Sequence, residues 1–123
     1  MGDRLLMQVK GPADECSPVI YCHRSGSEAG SFCDELRRRM EGRNRDVSYT
    51  AARLVQIATA GDPTGNLSFG IWNATAILTE KDSHGDAGIV IVDVSTDKMS
   101  FSCLGGYLAI DPETGLPAES HDE

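Results

Sequence analysis

Cys22, His23, Arg24 and Ser25 stand together where a short apolar run, Val19-Ile20-Tyr21-Cys22, gives way to the start of a helix. A thiol at such a junction can lose its proton to loop amides and the positive end of a helix, and a neighbouring base can then make it a nucleophile. His23 is badly oriented for that work, because adjacent residues of a strand point to opposite faces. The base would instead come from His84, which shares the polar run Asp82-Ser83-His84-Gly85-Asp86 with Asp86. On this reading Cys22, His23, His84 and Asp86 surround the pocket of a small hydrolase or transferase. The plainer reading is a buried Cys22, a surface His23 and a tight polar turn, which uses the same residue types.

Other constellations are weaker. Ser25-Gly26-Ser27-Glu28-Ala29-Gly30 lacks the lysine and glycine spacing of a phosphate loop and is explained by capping of a helix. Cys16, Cys22 and Cys33 are separated by five and ten residues, with no Cys-x-x-Cys pair, so no metal ligand set and no cofactor is expected. Arg37, Arg38, Arg39, Arg43, Arg45 and Arg53 fall within seventeen positions against only Glu41 and Asp46. Arg37 and Arg38, with Arg24 and Ser25, could hold a small anion, a nucleotide or an acidic protein; the alternative is a solvated helix face.

The whole chain of 123 residues carries a net charge of −8. Residues 1–59 hold nine basic against eight acidic side chains, whereas residues 60–123 hold two against eleven. Such a surface repels phosphate backbones, which argues against general nucleic-acid binding. No apolar run reaches the length of a membrane span and no export signal is visible, so a cytoplasmic protein with reduced thiols is expected.

The elements that would position these residues follow from periodicity. Leu5 to Val9 and Val19 to Cys22 read as strands. Ala29, Phe32, Cys33, Leu36 and Met40 make one helical stripe, and Val47, Ala51, Leu54, Val55 and Ala58 a second, capped by Asp46 or Ser48. Three further β-rich runs, Leu67 to Thr79, Ala87 to Val94 and Met99 to Ile110, are joined by short polar turns that predict an antiparallel meander. The expectation is an α+β domain over residues 1–115, in the order ββααβββ. Its sheet is mainly antiparallel with a two-helix hairpin on one face, and residues 116–123 form a frayed acidic tail.

Both parities of Gly88-Ile89-Val90-Ile91-Val92 are apolar, so both faces of that strand should be covered. Two helices cover one face. The other needs a second layer from the same chain or from a partner, and the reading favours a homodimer or higher oligomer, with Trp72 and Gly105-Gly106 shaping the contact.

Val19-Ile20-Tyr21-Cys22-His23, Asp46-Val47-Ser48-Tyr49-Thr50-Ala51-Ala52-Arg53-Leu54, Gly65 to Asn73 and His84-Gly85-Asp86-Ala87-Gly88 resemble segments of a group of uncharacterised small bacterial and phage-associated proteins. The resemblance spans about positions 5 to 110. It implies a shared fold and carries over no catalytic residue. The functional expectation is therefore a non-enzymatic accessory or interaction module acting as a homo-oligomer, with the Cys/His enzyme and the anion-binding regulator as alternatives.

Overall fold

The computed structural model describes residues 4–22, 28–42, 46–60, 69–83, 85–96 and 98–115. Among these residues the helices and strands follow in the order β1 (Leu5–Lys10), β2 (Val19–Cys22), α1 (Ala29–Arg39), α2 (Val47–Thr59), β3 (Phe69–Trp72), β4 (Gly88–Asp93) and β5 (Ser100–Leu104). Single 3-10 turns at Pro12–Asp14 and Glu80–Asp82 punctuate the loops. The α+β class and the two helices agree with the periodicity.

The helices form where a stripe and a cap coincide. In α2, the Asp46 side chain accepts a hydrogen bond from the backbone N–H of Tyr49, satisfying one of the free amides of the first turn. Val47, Ala51, Leu54, Ile57 and Ala58 are buried on that helix; in α1 the buried set is Ala29, Gly30, Phe32, Cys33 and Leu36. The predicted capping run Ser25 to Ser27 lies outside the described residues.

The sheet corrects the expected topology. Its strand order is β3-β2-β1-β4-β5, and it is mixed rather than mainly antiparallel. β1 and β4 run parallel, with Leu5 opposite Gly88 and Val9 opposite Val92, while the other three pairings are antiparallel. The expected meander fails at its first link, because β3 lies beside β2 at one edge and β4 lies beside β1. The hairpin from β4 to β5 does form, and at its start Asp93 Oδ1 accepts from the Ser95 N–H at 2.9 Å. The reason for the rearrangement is burial: β1 and β4 are the two strands apolar on both faces, and each buries its first five residues. Such strands are stabilised most at the centre of a sheet, where neither face meets water.

One face packs against both helices. Leu5, Met7, Val9, Ile20, Cys22, Val90, Val92 and Phe101 meet the helical stripes in a continuous core. On the other face Leu6, Val19, Ile89 and Ile91 form a second core with Tyr21, Ala74, Ile77, Leu78 and Leu104. The covering layer on that side is thus supplied by the chain, through the segment after β3. The expected long strand from Leu67 to Thr79 is strand only from Phe69 to Trp72; the chain then leaves the sheet and straps its second face.

Gln8 holds the strap. It is fully buried in the middle of β1, and its amide donates to Ser17 O at 3.1 Å and Ala76 O at 3.2 Å. Its Oε1 accepts from the Leu78 N–H at 2.9 Å. A buried amide side chain is tolerated only when paired in this way.

Gly106 lies so close to the backbone of Ala87 and Gly88 that a Cβ there would overlap them. The Gly105-Gly106 pair therefore closes the end of β5 onto the start of β4 within one chain, and its close approach is internal.

Candidate functional site

The residues singled out for chemistry gather at one end of the sheet, where β1 and β4 begin and β2 ends. Cys22 is paired with Leu5, and Leu5 with Gly88, so three adjacent strands meet in one row. Asp86 lies two residues before β4, and Arg4 immediately precedes β1. His23, Arg24, Ser25 and His84 lie outside the described residues.

Cys22 faces the helices. Its relative exposure is 0%, and burial, with a smaller contribution from the charge of Glu28, pushes its thiol up to about 12. A nucleophile needs the opposite, a thiolate near neutral pH in contact with solvent. Cys33 is likewise buried and pushed up to about 12 by burial, and Cys103 is raised for the same reason. Cys16 Sγ lies 3.7 Å from Ala74 O, where the strap crosses the second face. All four cysteines are free thiols.

Asp86 is engaged by Arg4. Its Oδ2 accepts from Arg4 Nε at 2.8 Å and from the Arg4 backbone N–H at 3.1 Å. These hydrogen bonds hold the Asp86 carboxyl below its ordinary value and raise the Arg4 guanidinium. The bond from the Ala87 N–H to Arg4 O, 3.1 Å, continues the same tie. Asp86 thus clamps the start of β1 to the start of β4, and its position fits a structural latch better than a general base.

The arginines of α1 are also occupied. Arg37 and Arg38 both bind Asp34, at 2.9 and 2.8 Å, and Arg37 Nε donates to Thr114 O at 3.0 Å. The two guanidinium groups hold the Asp34 carboxyl below its usual range. Arg39 pairs with Glu35, and Arg53 lies over the Tyr49 ring, 5.1 Å from its centre. Arg43 and Arg45 lie outside the described residues. Carboxylates three and four residues before these arginines, Asp34 and Glu35, thus neutralise much of the run.

A groove of about 720 Å³ opens beside the end of α1, floored by Met40 and Met99 and edged by Arg37, Lys98, Glu41 and Glu113. Its two cations are matched by two carboxylates, which removes the electrostatic preference an anion site requires. Among the described residues no three His, Cys, Asp or Glu side chains converge as a metal-binding group. Among them, too, no helix is long and apolar enough to cross a membrane.

Two features escaped the sequence reading. Gln8 was visible as a polar residue amid the apolar run Leu5 to Val9, a position that demands hydrogen-bond partners. The other is the exposure of the edge strand β3. The β5 edge is joined by the chain itself through the bond from Phe101 N to Pro112 O, 3.0 Å, while among the described residues β3 is the outermost strand on the other side, with Ile71 59% and Trp72 43% exposed. Tyr21 supports Trp72 from within, their ring centres 5.9 Å apart. Comparison with known proteins returns no matching family model, no matching curated protein and no matching solved structure.

Proposed function

We propose that this chain is a cytoplasmic interaction module that works as a homo-oligomer and not by catalysis. The observation that carries the reading is the character of the β3 edge. Edge strands of soluble proteins are ordinarily protected by lysine, proline, a bulge or a covering segment. Here the chain has no charged residue between Asp62 and Glu80 and no proline between Pro63 and Pro112, and the exposed Ile71 and Trp72 stand within that stretch. Uncharged, apolar edges of this kind add strands from a partner, with main-chain hydrogen bonds giving affinity.

The geometry of the thiols supports the same reading from the other side. The one cysteine placed beside a strand end and a helix start is shielded, and the carboxylate expected to share its pocket is spent on Arg4. The reading is tested by the mass of the protein in solution across a dilution series. Association in the micromolar range is expected, and a single-chain mass at every concentration would overturn it.

A further inference from the structure

We propose that Cys33 and Cys103 are a thiol pair which a hydroperoxide converts into a disulfide, fastening α1 to β5. The register of the sheet fixes the side of one partner. Cys103 stands opposite Val90, which belongs to the core under the helices, and Cys103 packs against that same core. Cys33 enters this core from the helical layer, on α1, where it is fully buried.

One short segment touches both thiols. At its start the Ile110 N–H donates to the Cys103 sulfur. At its end Gly115 lies so close to α1 that a Cβ on it would come within 2.7 Å of the Cys33 Cβ. The bond from the Gly115 N–H to Asp111 O, 3.0 Å, folds the segment into a tight turn, and the bond from the Phe101 N–H to Pro112 O holds that turn on β5. A turn of this size brings Ile110 and Gly115 close, and with them the two thiols that they meet. The electrostatics agree: after burial, the charge of Cys103 is what raises the Cys33 thiol. The other two cysteines are placed elsewhere. Cys22 is on β2, three strands from β5, and the Cys16 sulfur meets the strap on the opposite face.

The two thiols divide the chemistry. Cys103 is partly exposed and Cys33 is buried, so a hydroperoxide reaches Cys103 first. The Cys103 thiolate attacks one peroxide oxygen and the O–O bond breaks. The products are a sulfenic acid and an alcohol, or water when the oxidant is hydrogen peroxide. The Cys33 sulfur then displaces the sulfenic hydroxyl: the S–S bond forms, and the Cys33 proton leaves with the hydroxyl as water. Two electrons pass from the thiols to the peroxide. Burial raises both thiols, which makes the first step slow at neutral pH and faster in mild alkali. The bond joins residues seventy positions apart, so it restrains the unfolded chain strongly.

The test exposes the full native chain to hydrogen peroxide, alkylates the remaining thiols and maps the peptides by mass spectrometry before and after reduction. A peptide of Cys33 linked to one of Cys103 within one chain is expected, with Cys22 still a free thiol. The rate of linking should rise about tenfold per pH unit between about pH 7 and about pH 8.5, as the Cys103 thiolate becomes more abundant. The linked chain should unfold at a urea concentration about 1 M higher, and reduction should reverse the shift. Cys103 oxidised to a sulfinic acid while Cys33 stays free would overturn the pairing. So would Cys103 linked to Cys16, to Cys22 or to a second chain, or a Cys103 that remains unmodified while Cys16 is oxidised. In Cys103→Ser, Cys33 should stay a free thiol at the same peroxide dose; its oxidation there would contradict the order of the steps.

Discussion

The side chain of Gln8 accepts a hydrogen bond from the backbone of Leu78 at 2.9 Å, across seventy positions of sequence. With the bonds to Ser17 O and Ala76 O it fixes the strap that closes the second face of the sheet. Replacing Gln8 with Leu keeps similar bulk but leaves one buried N–H and two carbonyls without this partner. We expect a loss of about 2–4 kcal/mol in urea unfolding, with early hydrogen exchange at Leu78. A loss below about 0.5 kcal/mol would show that the strap is held by its apolar contacts alone.

Cys22 should resist alkylation. Its thiol is shielded and pushed up to about 12, so little thiolate exists at neutral pH, and iodoacetamide should label the partly exposed Cys16 and Cys103 before it. Rapid labelling of Cys22 alone would restore the enzyme reading.

The buried thiols also set a pH dependence. Cys22 and Cys33 have folded values of about 12 against 9.0 for a free thiol, so their contribution is complete below pH 9.0 and is lost as pH rises towards about 12. At pH 10 each should have cost about 1.4 kcal/mol relative to pH 7, because the unfolded chain ionises and the folded one does not. In Cys22→Ala the loss between those two pH values should shrink by about that amount. An unchanged loss in denaturant titrations would place the alkaline sensitivity elsewhere.

Asp86 gives the opposite sign. Its folded value lies below the ordinary 3.8, so the Arg4 tie stabilises above that value and fades as pH falls through the depressed one. Asp86→Asn should flatten the acid limb of the stability curve while changing neutral stability little, since the pair is partly exposed. A steeper acid limb in the variant would contradict the assignment.

The helices were legible because stripe and cap agree locally: Ala29, Phe32, Cys33 and Leu36 mark α1, and Asp46 caps α2. The pairing of strands was not. Asp82 to Asp86 carries the composition of a hairpin turn, but the placement of β4 is decided by Ile89, Val90, Ile91 and Val92, which need cover on both faces and find it beside β1. No local signal ties Asp86 to Arg4, eighty-two positions away, or Ala76 to Gln8. The two-sided burial of β4 was legible; that Ala74, Ile77 and Leu78 would supply half of it was not, because Leu67 to Thr79 has the β-rich composition of one unbroken strand.

Salt distinguishes self-association from capture of a basic partner. Two chains of charge −8 joined through an uncharged edge should bind each other more tightly as salt rises from about 0.05 to about 0.5 M, because screening weakens their mutual repulsion. Weakening over that range in analytical ultracentrifugation would point to an interface made by opposite charges.

The most direct test of the account is light scattering on the native chain through a dilution series. The account predicts a mass well above the 13.2 kDa of one chain at high concentration, falling towards 13.2 kDa on dilution. A native protein of 13.2 kDa at every concentration would contradict it.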